Sequence, residues 1–293
     1  MTVVDAPPPH APADAPPSGS LWTGAEGERL RYRREGSGPP VVLIHGALSC
    51  LEDVAEPLAE VLGGERTVVA FDRPGHGWSD RERWRLATVQ SQAERLLRAV
   101  SALELDRPVL IGHSYGGSTA LAMALAAPEA VAGVVAISPA MFPEPRLEQA
   151  LFAPRALPAG GDVYAGTGGR ASDPATLSLL WEAMWTPQRM PDRFRETFPF
   201  ARARSAGCVV AYGEDAAAMP ASLSQLTAGA LRCAVPVRVL VGSGDVVTSN
   251  LHGQVMAAAV PDGRIERLPG LGHCLHWFAP ERVLDAVREI APA

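Results

Sequence analysis

The chain has 293 residues, of which 47% are hydrophobic and 20% charged, and this composition is typical of a folded domain and excludes a disordered or fibrous protein. The net charge is -6 and the 26 cationic residues are dispersed along the chain, which excludes the basic patch that a nucleic acid or an anionic membrane would require. We therefore expect a small molecule as the partner, with no nucleic acid and no membrane, and leave the oligomeric state open.

The N-terminal segment, residues 1–20, is predicted to be a disordered arm. It contains six prolines but no basic start and no apolar run, so it lacks the pattern of a secretory leader. The longest apolar stretch, Leu121–Phe142, is broken by Pro and Gly residues and predicts no membrane span. We therefore expect a cytoplasmic protein. The cysteines show no metal-ligand spacing and are expected to be free thiols: Cys50, Cys208, Cys233 and Cys274.

The first predicted elements of the chain are alternating strands and helices. Residues 28–34 alternate in the manner of an antiparallel edge strand. A helix is predicted over 53–62, with Pro57 in its first turn, and another from Val89 behind the capping residue Thr88. Four continuous apolar runs have the pattern of strands covered on both faces of a parallel sheet: 41–44, 67–71, 108–111 and 131–137.

The alternation stops at Pro139 and resumes at Val235, which predicts an insertion between two strands. We assign residues 21–140 and 232–293 to one core and residues 141–231 to a mostly helical lid. The predicted fold class is α/β, with a mostly parallel central sheet, helices on both faces and the lid inserted after the sixth strand. The last core elements are predicted as helix 250–259, strand 264–268 and helix 280–290.

The predicted lid is rich in aromatic residues, and its glycine-rich stretch at 160–170 is interpreted as a flexible loop. We expect the lid to cover the carboxyl ends of the strands, because ligands bind there in open α/β sheets. Trp181 and Trp185 are therefore predicted to line the substrate pocket, together with His113. The arginines of the lid form an exposed helix face or bind a carboxylate: Arg189, Arg193, Arg195, Arg202 and Arg204.

A candidate nucleophile lies in the pentapeptide Gly112–Gly116, which reads Gly-His-Ser-Tyr-Gly. The pentapeptide follows a predicted strand and opens a predicted apolar helix. A serine on such a sharp turn has a strained backbone, so its neighbours two positions away must be small, and both are Gly. This context predicts that Ser114 is a nucleophile at the N-terminus of a helix.

A serine hydroxyl needs a base to take its proton, and the base needs an orienting carboxylate. Asp245 ends a predicted strand, and His273 follows in a loop before the last helix. The order Ser, Asp, His along the chain agrees with the triad order of one known hydrolase fold. We therefore predict that His273 is the base and Asp245 the acid, and prefer them to His276 and Asp72.

The tetrahedral intermediate of acyl transfer carries an oxyanion, which needs two N–H donors. The backbone N–H of Tyr115 follows the nucleophile and is the first candidate. The loop after the first core strand contains His45 and Gly46, and the N–H of Ala47 is the second candidate. His45 itself is interpreted as a structural anchor.

These segments together resemble the α/β-hydrolase fold superfamily from about Leu21 to the C-terminus. The branch that the chain resembles contains lidded esterases, cofactor-free haloperoxidase-like enzymes, epoxide hydrolases and C–C bond hydrolases. The matching motifs are the His-Gly pair at 45–46, FDRPGHGWSD at 71–80, GHSYGG at 112–117, SGD at 243–245 and LGH at 271–273.

Two features distinguish the chain within this branch. Ser114 stands where epoxide hydrolases and haloalkane dehalogenases of the fold have Asp. C–C hydrolases usually have a more glycine-rich oxyanion loop and a Trp after the base, whereas this chain has Ala47, Leu48 and Cys274. The resemblance implies hydrolysis of a small carboxylic ester, lactone or thioester through an acyl-enzyme, with no cofactor and no metal. A C–C bond hydrolase and a non-catalytic ligand receptor or scaffold are the alternatives.

Overall fold

An eight-stranded sheet forms the centre of the structure, a computed structural model that describes residues 15–161, 163 and 167–292. Most of the predicted arm, residues 1–14, lies outside the described residues. The strands follow the spatial order β1-β2-β4-β3-β5-β6-β7-β8. Their bounds are β1 Leu21–Thr23, β2 Leu30–Gly36, β3 Pro40–Ile44, β4 Thr67–Phe71, β5 Val109–His113, β6 Gly133–Ile137, β7 Val237–Gly242 and β8 Gly263–Leu268.

The sheet is antiparallel at one end and parallel through the rest. Strand β2 pairs antiparallel with β1 and with β4, and each pair from β4 onward to β8 is parallel. The predicted antiparallel strand is thus confirmed, but its edge position is wrong, because residues 21–23 cover its outer side. The parallel part confirms an α/β fold with a mostly parallel sheet.

Helices cover both faces of the sheet. On β3, Val42 and Ile44 pack with the apolar faces of α2 (Val89–Ala102) and α3 (Tyr115–Ala126), whereas Val41 and Leu43 pack with α1 (Glu52–Gly63) and α10 (Pro280–Ile290). This alternation follows from the two-residue period of a strand, and burying each such side chain contributes about 1.5–3 kcal/mol. The core helices are α1 Glu52–Gly63, α2 Val89–Ala102, α3 Tyr115–Ala126, α9 Asn250–Ala259 and α10 Pro280–Ile290.

Helix α1 differs from its prediction at its start. It begins at Glu52, so Pro57 lies in the helix interior rather than in its first turn. A proline at this position cannot donate to the carbonyl of Asp53, four residues earlier. That carbonyl instead accepts hydrogen bonds from Nε1 of Trp277 at 2.9 Å and from Nε2 of His276 at 3.2 Å. Side chains from the C-terminal part of the chain thus satisfy the carbonyl that the proline leaves free.

The insertion between β6 and β7 is helical among the residues that the structure describes there. Gly168 begins α5, so the last part of the predicted flexible loop at 160–170 is helix instead, while residues 162 and 164–166 lie outside the described range. No helix of the described residues is both long and apolar enough to cross a membrane. The helices of the insertion are α4 Leu147–Phe152, α5 Gly168–Met184, α6 Asp192–Thr197, α7 Phe200–Ala203 and α8 Ala206–Gly229.

Candidate active site

Ser114 lies on the turn between β5 and α3 and has a strained backbone. Its φ is 54° and its ψ is -117°, backbone angles that residues other than Gly rarely adopt and that cost about 1–3 kcal/mol. Both backbone polar groups of Ser114 are hydrogen-bonded. Its N–H donates to the Ile137 carbonyl at 2.8 Å, and its carbonyl accepts from the Gly117 N–H at 3.0 Å. The strand-to-helix turn predicted from the sequence is therefore present.

The two glycines that flank Ser114 are required by close backbone contacts. A Cβ at Gly112 would lie 2.2 Å from the carbonyl oxygen of Gly116, and a Cβ at Gly116 would lie 2.2 Å from the carbonyl oxygen of Ile44. Both contacts are with backbone atoms, which cannot move aside. The glycines thus allow the turn to close against strand β3.

His273 and Asp245 are directly paired. Nδ1 of His273 lies 2.8 Å from Oδ2 of Asp245, and Oδ1 of Asp245 accepts the backbone N–H groups of Val247 and Thr248 at 2.8 and 2.9 Å. Burial by itself raises the pKa of the Asp245 carboxyl, but the His273 charge and these hydrogen bonds outweigh it and lower that pKa below its ordinary value. The ionised carboxylate accepts Nδ1–H, which leaves Nε2 of His273 as the basic nitrogen.

The loop that carries His273 is fixed by two further contacts. The His273 carbonyl accepts from the hydroxyl of Ser138 at 3.0 Å, directly after β6. The N–H of Gly272 donates to Oε1 of Gln188 at 2.9 Å, and a Cβ at Gly272 would lie 2.1 Å from the carbonyl oxygen of Thr186. The loop is therefore held between the sheet and the insertion.

A second carboxylate, Asp53, binds His113, whose ring lies against that of His273, and was not identified from the sequence. Its carboxylate binds Nδ1 of His113 at 2.9 Å and lies 3.3 Å from Nε2 of His276. The His113 ring centroid is 4.8 Å from that of His273 and 4.4 Å from that of His276. The recurrence of His three positions after His273 was the signal in the sequence that could have indicated this cluster.

Ser114, His273 and Asp245 all line one cavity of about 510 Å³. The predicted oxyanion donors Ala47 and Tyr115 line it as well, and so does His113. The structure thus brings together all the residues predicted to act on the substrate. The remaining wall is mostly apolar: Leu48, Ala140, Leu147, Leu180, Ala183, Met184, Tyr212, Met219, Val246 and Val247.

The prediction that Trp181 and Trp185 line this cavity is wrong. Both rings are buried in an aromatic cluster with Phe194 and Phe198, and Nε1 of Trp181 donates to the Leu48 carbonyl at 2.9 Å. Trp181 lies on α5 and Trp185 follows directly after it with a helical backbone, so the two tryptophans, four residues apart, lie on the same side. The neighbouring face of α5 supplies the cavity wall, with Leu180, Ala183 and Met184.

The charged side chains at the rim of the cavity were not predicted. Arg146 binds Glu144 at 2.8 Å, and Glu144 lies 2.8 Å from Nε2 of the buried His252. The arginines that the sequence suggested for a carboxylate lie elsewhere: Arg193 pairs with Glu56 and Arg195 pairs with Glu182. The rim pair comes from the segment after β6, where the sequence pattern contained no regular element.

Two buried clusters of the described residues place three potential metal-ligand atoms within 4.8 Å of one another. One is Asp53 with His113 and His276, whose ligand atoms are already hydrogen-bonded to each other. The other contains Cys50, Glu52 and Asp72. Its two carboxylates both bind the buried guanidinium of Arg31, at 2.6 and 3.0 Å. A cation in either cluster would have to displace these pairings.

Comparisons with known proteins agree with this architecture. An uncharacterized protein of Mycobacterium tuberculosis is 28% identical over 285 residues, which cover 93% of this chain and 81% of that protein. The 2-(acetamidomethylene)succinate hydrolase of Mesorhizobium japonicum is 25% identical over 272 residues, 90% of this chain and 92% of that enzyme.

Solved structures show the same fold. The enol-lactonase of Burkholderia xenovorans superimposes with a TM-score of 0.73 at 21% identity, over 93% of this chain and 100% of that one. A family model described as alpha/beta hydrolase fold matches residues 39–280, which contain the Ser114 turn, Asp245 and His273. The chain therefore belongs, as a hydrolase, to the α/β hydrolase fold family.

Proposed function

We propose that the chain is a serine hydrolase that cleaves a small carboxylic ester, lactone or thioester through an acyl-enzyme on Ser114. The observation that carries the proposal is the convergence on one cavity of a strained serine, a paired His273 and Asp245, and the backbone of Ala47 and Tyr115. Each of these parts is required for acyl transfer, and none of them alone would indicate it.

The proposed reaction has two halves. His273 takes the hydroxyl proton of Ser114 as Oγ of Ser114 attacks the substrate carbonyl carbon. The oxyanion that forms accepts hydrogen bonds from the N–H groups of Ala47 and Tyr115. His273 then gives the proton to the leaving alcohol or thiol as the bond to it breaks. In the second half, His273 activates a water molecule that releases the acid and regenerates Ser114, while Asp245 holds the ring and stabilises its charge.

The insertion supports a role as a lid, residues 141–231, that selects the substrate. Leu180, Ala183 and Met184 of α5 and Tyr212 and Met219 of α8 form one side of the cavity, opposite the strand ends. A cavity of about 510 Å³ with this lining is suited to a compact substrate that is largely apolar near the reacting carbonyl. Because the similar proteins include an enol-lactonase and a 2-(acetamidomethylene)succinate hydrolase, the substrate screen should include lactones and esters of small carboxylic acids.

A fluorophosphonate probe tests the proposal directly, because its reaction needs nucleophile, base and oxyanion donors together. We expect labelling at Ser114, loss of labelling in Ser114→Ala and His273→Ala, and protection by a cleaved ester. Ser101→Ala is the matched control, because Ser101 is an exposed serine outside the cavity. A folded protein that neither labels nor cleaves any ester, lactone or thioester of the screen would contradict the proposal and favour a ligand receptor.

A further inference from the structure

Arg73, in the loop after β4, is fully buried, and all three nitrogens of its guanidinium have hydrogen-bond partners. Arginine has five N–H donors in a fixed planar fork. The Arg73 donors lie against five acceptors that belong to four different parts of the chain. The acceptors are the His45 carbonyl at 3.1 Å, the Gly46 carbonyl at 3.0 Å, Nε2 of His76 at 3.3 Å, Oε1 of Gln92 at 2.7 Å and Oδ2 of Asp215 at 2.9 Å.

Two of these acceptors belong to the loop that carries the second oxyanion donor. The carbonyl of Gly46 and the N–H of Ala47 are parts of one peptide unit, which is planar and trans, so fixing the oxygen fixes the direction of the N–H. The Gly46 oxygen accepts from Arg73 and also lies 2.8 Å from Nδ1 of His45. Nε2 of His45 accepts from the backbone N–H of Arg73 at 2.9 Å, so Nδ1 carries the proton and donates to Gly46.

The same contacts act on the strength of the donor. A cationic group bound to a peptide oxygen polarises the peptide and makes its N–H a stronger donor, an effect that a dry interior enlarges. Gly46 is also close to the nucleophile, because a Cβ there would lie 3.2 Å from the Cβ of Ser114. The Arg73 guanidinium lies 4.5 Å from the ring centre of Tyr115, whose N–H is the first oxyanion donor. One side chain therefore contacts the peptide unit that ends in the Ala47 N–H and the ring of Tyr115.

We propose that Arg73 is a positioning residue of the oxyanion hole, which it orients by binding the Gly46 carbonyl, and that Asp215 of α8 holds Arg73 in place. The inference rests on the proposed function. Asp215 lies in the insertion and is as buried as Arg73, so the guanidinium bridges the proposed lid and the loop at Gly46. The planar fork is needed for this bridge, because the donors on Nε and the second amino group bind the loop while the first amino group binds Asp215.

The experiment compares Arg73→Lys with Arg73→Gln and with a matched control, Arg81→Gln. Lysine keeps the buried charge beside Asp215 but has one nitrogen in place of a fork, so it cannot bind Asp215 and both loop carbonyls as Arg73 does. Arg81 binds Asp215 at 2.6 Å and Glu214 at 2.8 Å, and the acceptors found for it do not include the loop at Gly46. Arg81→Gln therefore removes a second buried cation from the same Asp215 carboxylate, while every contact of Arg73 with the loop at Gly46 stays available.

We expect Arg73→Lys to lower the acylation rate with an activated acetate ester about 10- to 100-fold, with KM nearly unchanged. Affinity for a trifluoromethyl ketone, which forms an oxyanion on Ser114, should fall by the same factor. Arg81→Gln should lower the melting temperature at least as much as Arg73→Lys does. Its acylation rate should fall less than threefold. If Arg73→Gln fails to fold, Arg73→Lys still decides the question.

Two results would overturn the proposal. One is an acylation rate and a ketone affinity in Arg73→Lys that match the wild type. The other is an equal fall in Arg73→Lys and Arg81→Gln, which would assign Arg73 to stability alone. Labelling of the wild type by a fluorophosphonate separates this failure from failure of the proposed function. An unlabelled wild type contradicts both, whereas a labelled wild type with an unaffected Arg73→Lys contradicts only the role of Arg73.

Discussion

The Asp53 carboxylate binds Nδ1 of His113, the residue that precedes the candidate nucleophile, at 2.9 Å. Both side chains are buried, at 2% and 0% exposure. Burial by itself raises the pKa of the Asp53 carboxyl, but the neighbouring His113 and His276 outweigh it and hold that pKa well below its ordinary value. The pairing ties α1 to β5 beneath the turn that presents Ser114.

We predict that Asp53→Ala lowers the free energy of unfolding by about 3–5 kcal/mol, because it leaves Nδ1 of the buried His113 without its acceptor and removes the carboxylate that faces His276. Urea denaturation followed by circular dichroism measures the change. Asp106→Asn is the control, since Asp106 is exposed and such surface changes alter stability by about 0.5 kcal/mol or less. A loss in Asp53→Ala no larger than in the control would show that the cluster contributes little to stability.

The sheet and the nucleophile turn could be predicted from the sequence because they follow from local rules. Continuous apolar runs marked β3 to β6, and two glycines at fixed distance from Ser114 marked a turn that only they allow. The positions of Asp245 and His273 followed from the ends of parallel strands, which meet at one edge of the sheet. These features depend on residues close together in the chain or on the direction of a strand.

The cavity wall and the buried clusters depend on packing between distant segments, and there the sequence was insufficient. Helix α5 has two apolar faces, and only its packing against α6 and α7 turns Trp181 and Trp185 away from the cavity. Asp53 is one acidic residue among many in the sequence. Its role becomes visible only when His113 and His276, which are 60 and 223 positions away, are placed beside it.

We predict that Asp245→Asn lowers turnover about 10³- to 10⁴-fold while the protein stays folded. Oδ1 of Asp245 accepts the N–H groups of Val247 and Thr248, so the asparagine oxygen takes that position and its NH2 donor faces Nδ1 of the imidazole. The imidazole then loses the tautomer that presents a basic Nε2 to Ser114. Steady-state kinetics with an ester that the wild type cleaves measures the loss. Asp285→Asn, a partly exposed carboxylate of α10, should retain full activity. Near-normal turnover in Asp245→Asn would require another acid for His273.

Met184, the last residue of α5, and Trp185, which follows it, have opposite roles, and their alanine variants should separate selectivity from stability. Met184 lines the cavity, so Met184→Ala should improve the cleavage of longer acyl esters relative to the acetate ester by enlarging the wall. Trp185 is 2% exposed within the aromatic cluster, so Trp185→Ala should lower the free energy of unfolding by about 3–5 kcal/mol. It should reduce the cleavage rates of all esters by the same factor. A selectivity change in Trp185→Ala alone would contradict this assignment.

The buried histidines should make the protein less stable in mild acid. Burial and the nearby charge of Arg73 hold the pKa values of His45 and His76 well below the ordinary 6.5, and the pKa values of His252 and His276 are lowered as well. As the pH falls through 6.5, the unfolded chain binds protons on these side chains before the folded chain does. The free energy of unfolding therefore falls as the pH falls, by up to about 1.4 kcal/mol per pH unit for each histidine.

Urea denaturation at pH 8.0, 7.5, 6.5, 6.0 and 5.5 measures this dependence, above the range in which exposed carboxylates titrate. The slope between pH 8 and 7.5 is the internal control and should be close to zero, because the histidines are neutral there in both states. His76→Gln removes one of the four titrating groups, so its slope between pH 6.0 and 5.5 should be smaller than that of the wild type by up to about 1.4 kcal/mol per pH unit. An unchanged slope would mean that His76 is protonated in the folded protein, against the acceptor role of its Nε2 towards Arg73.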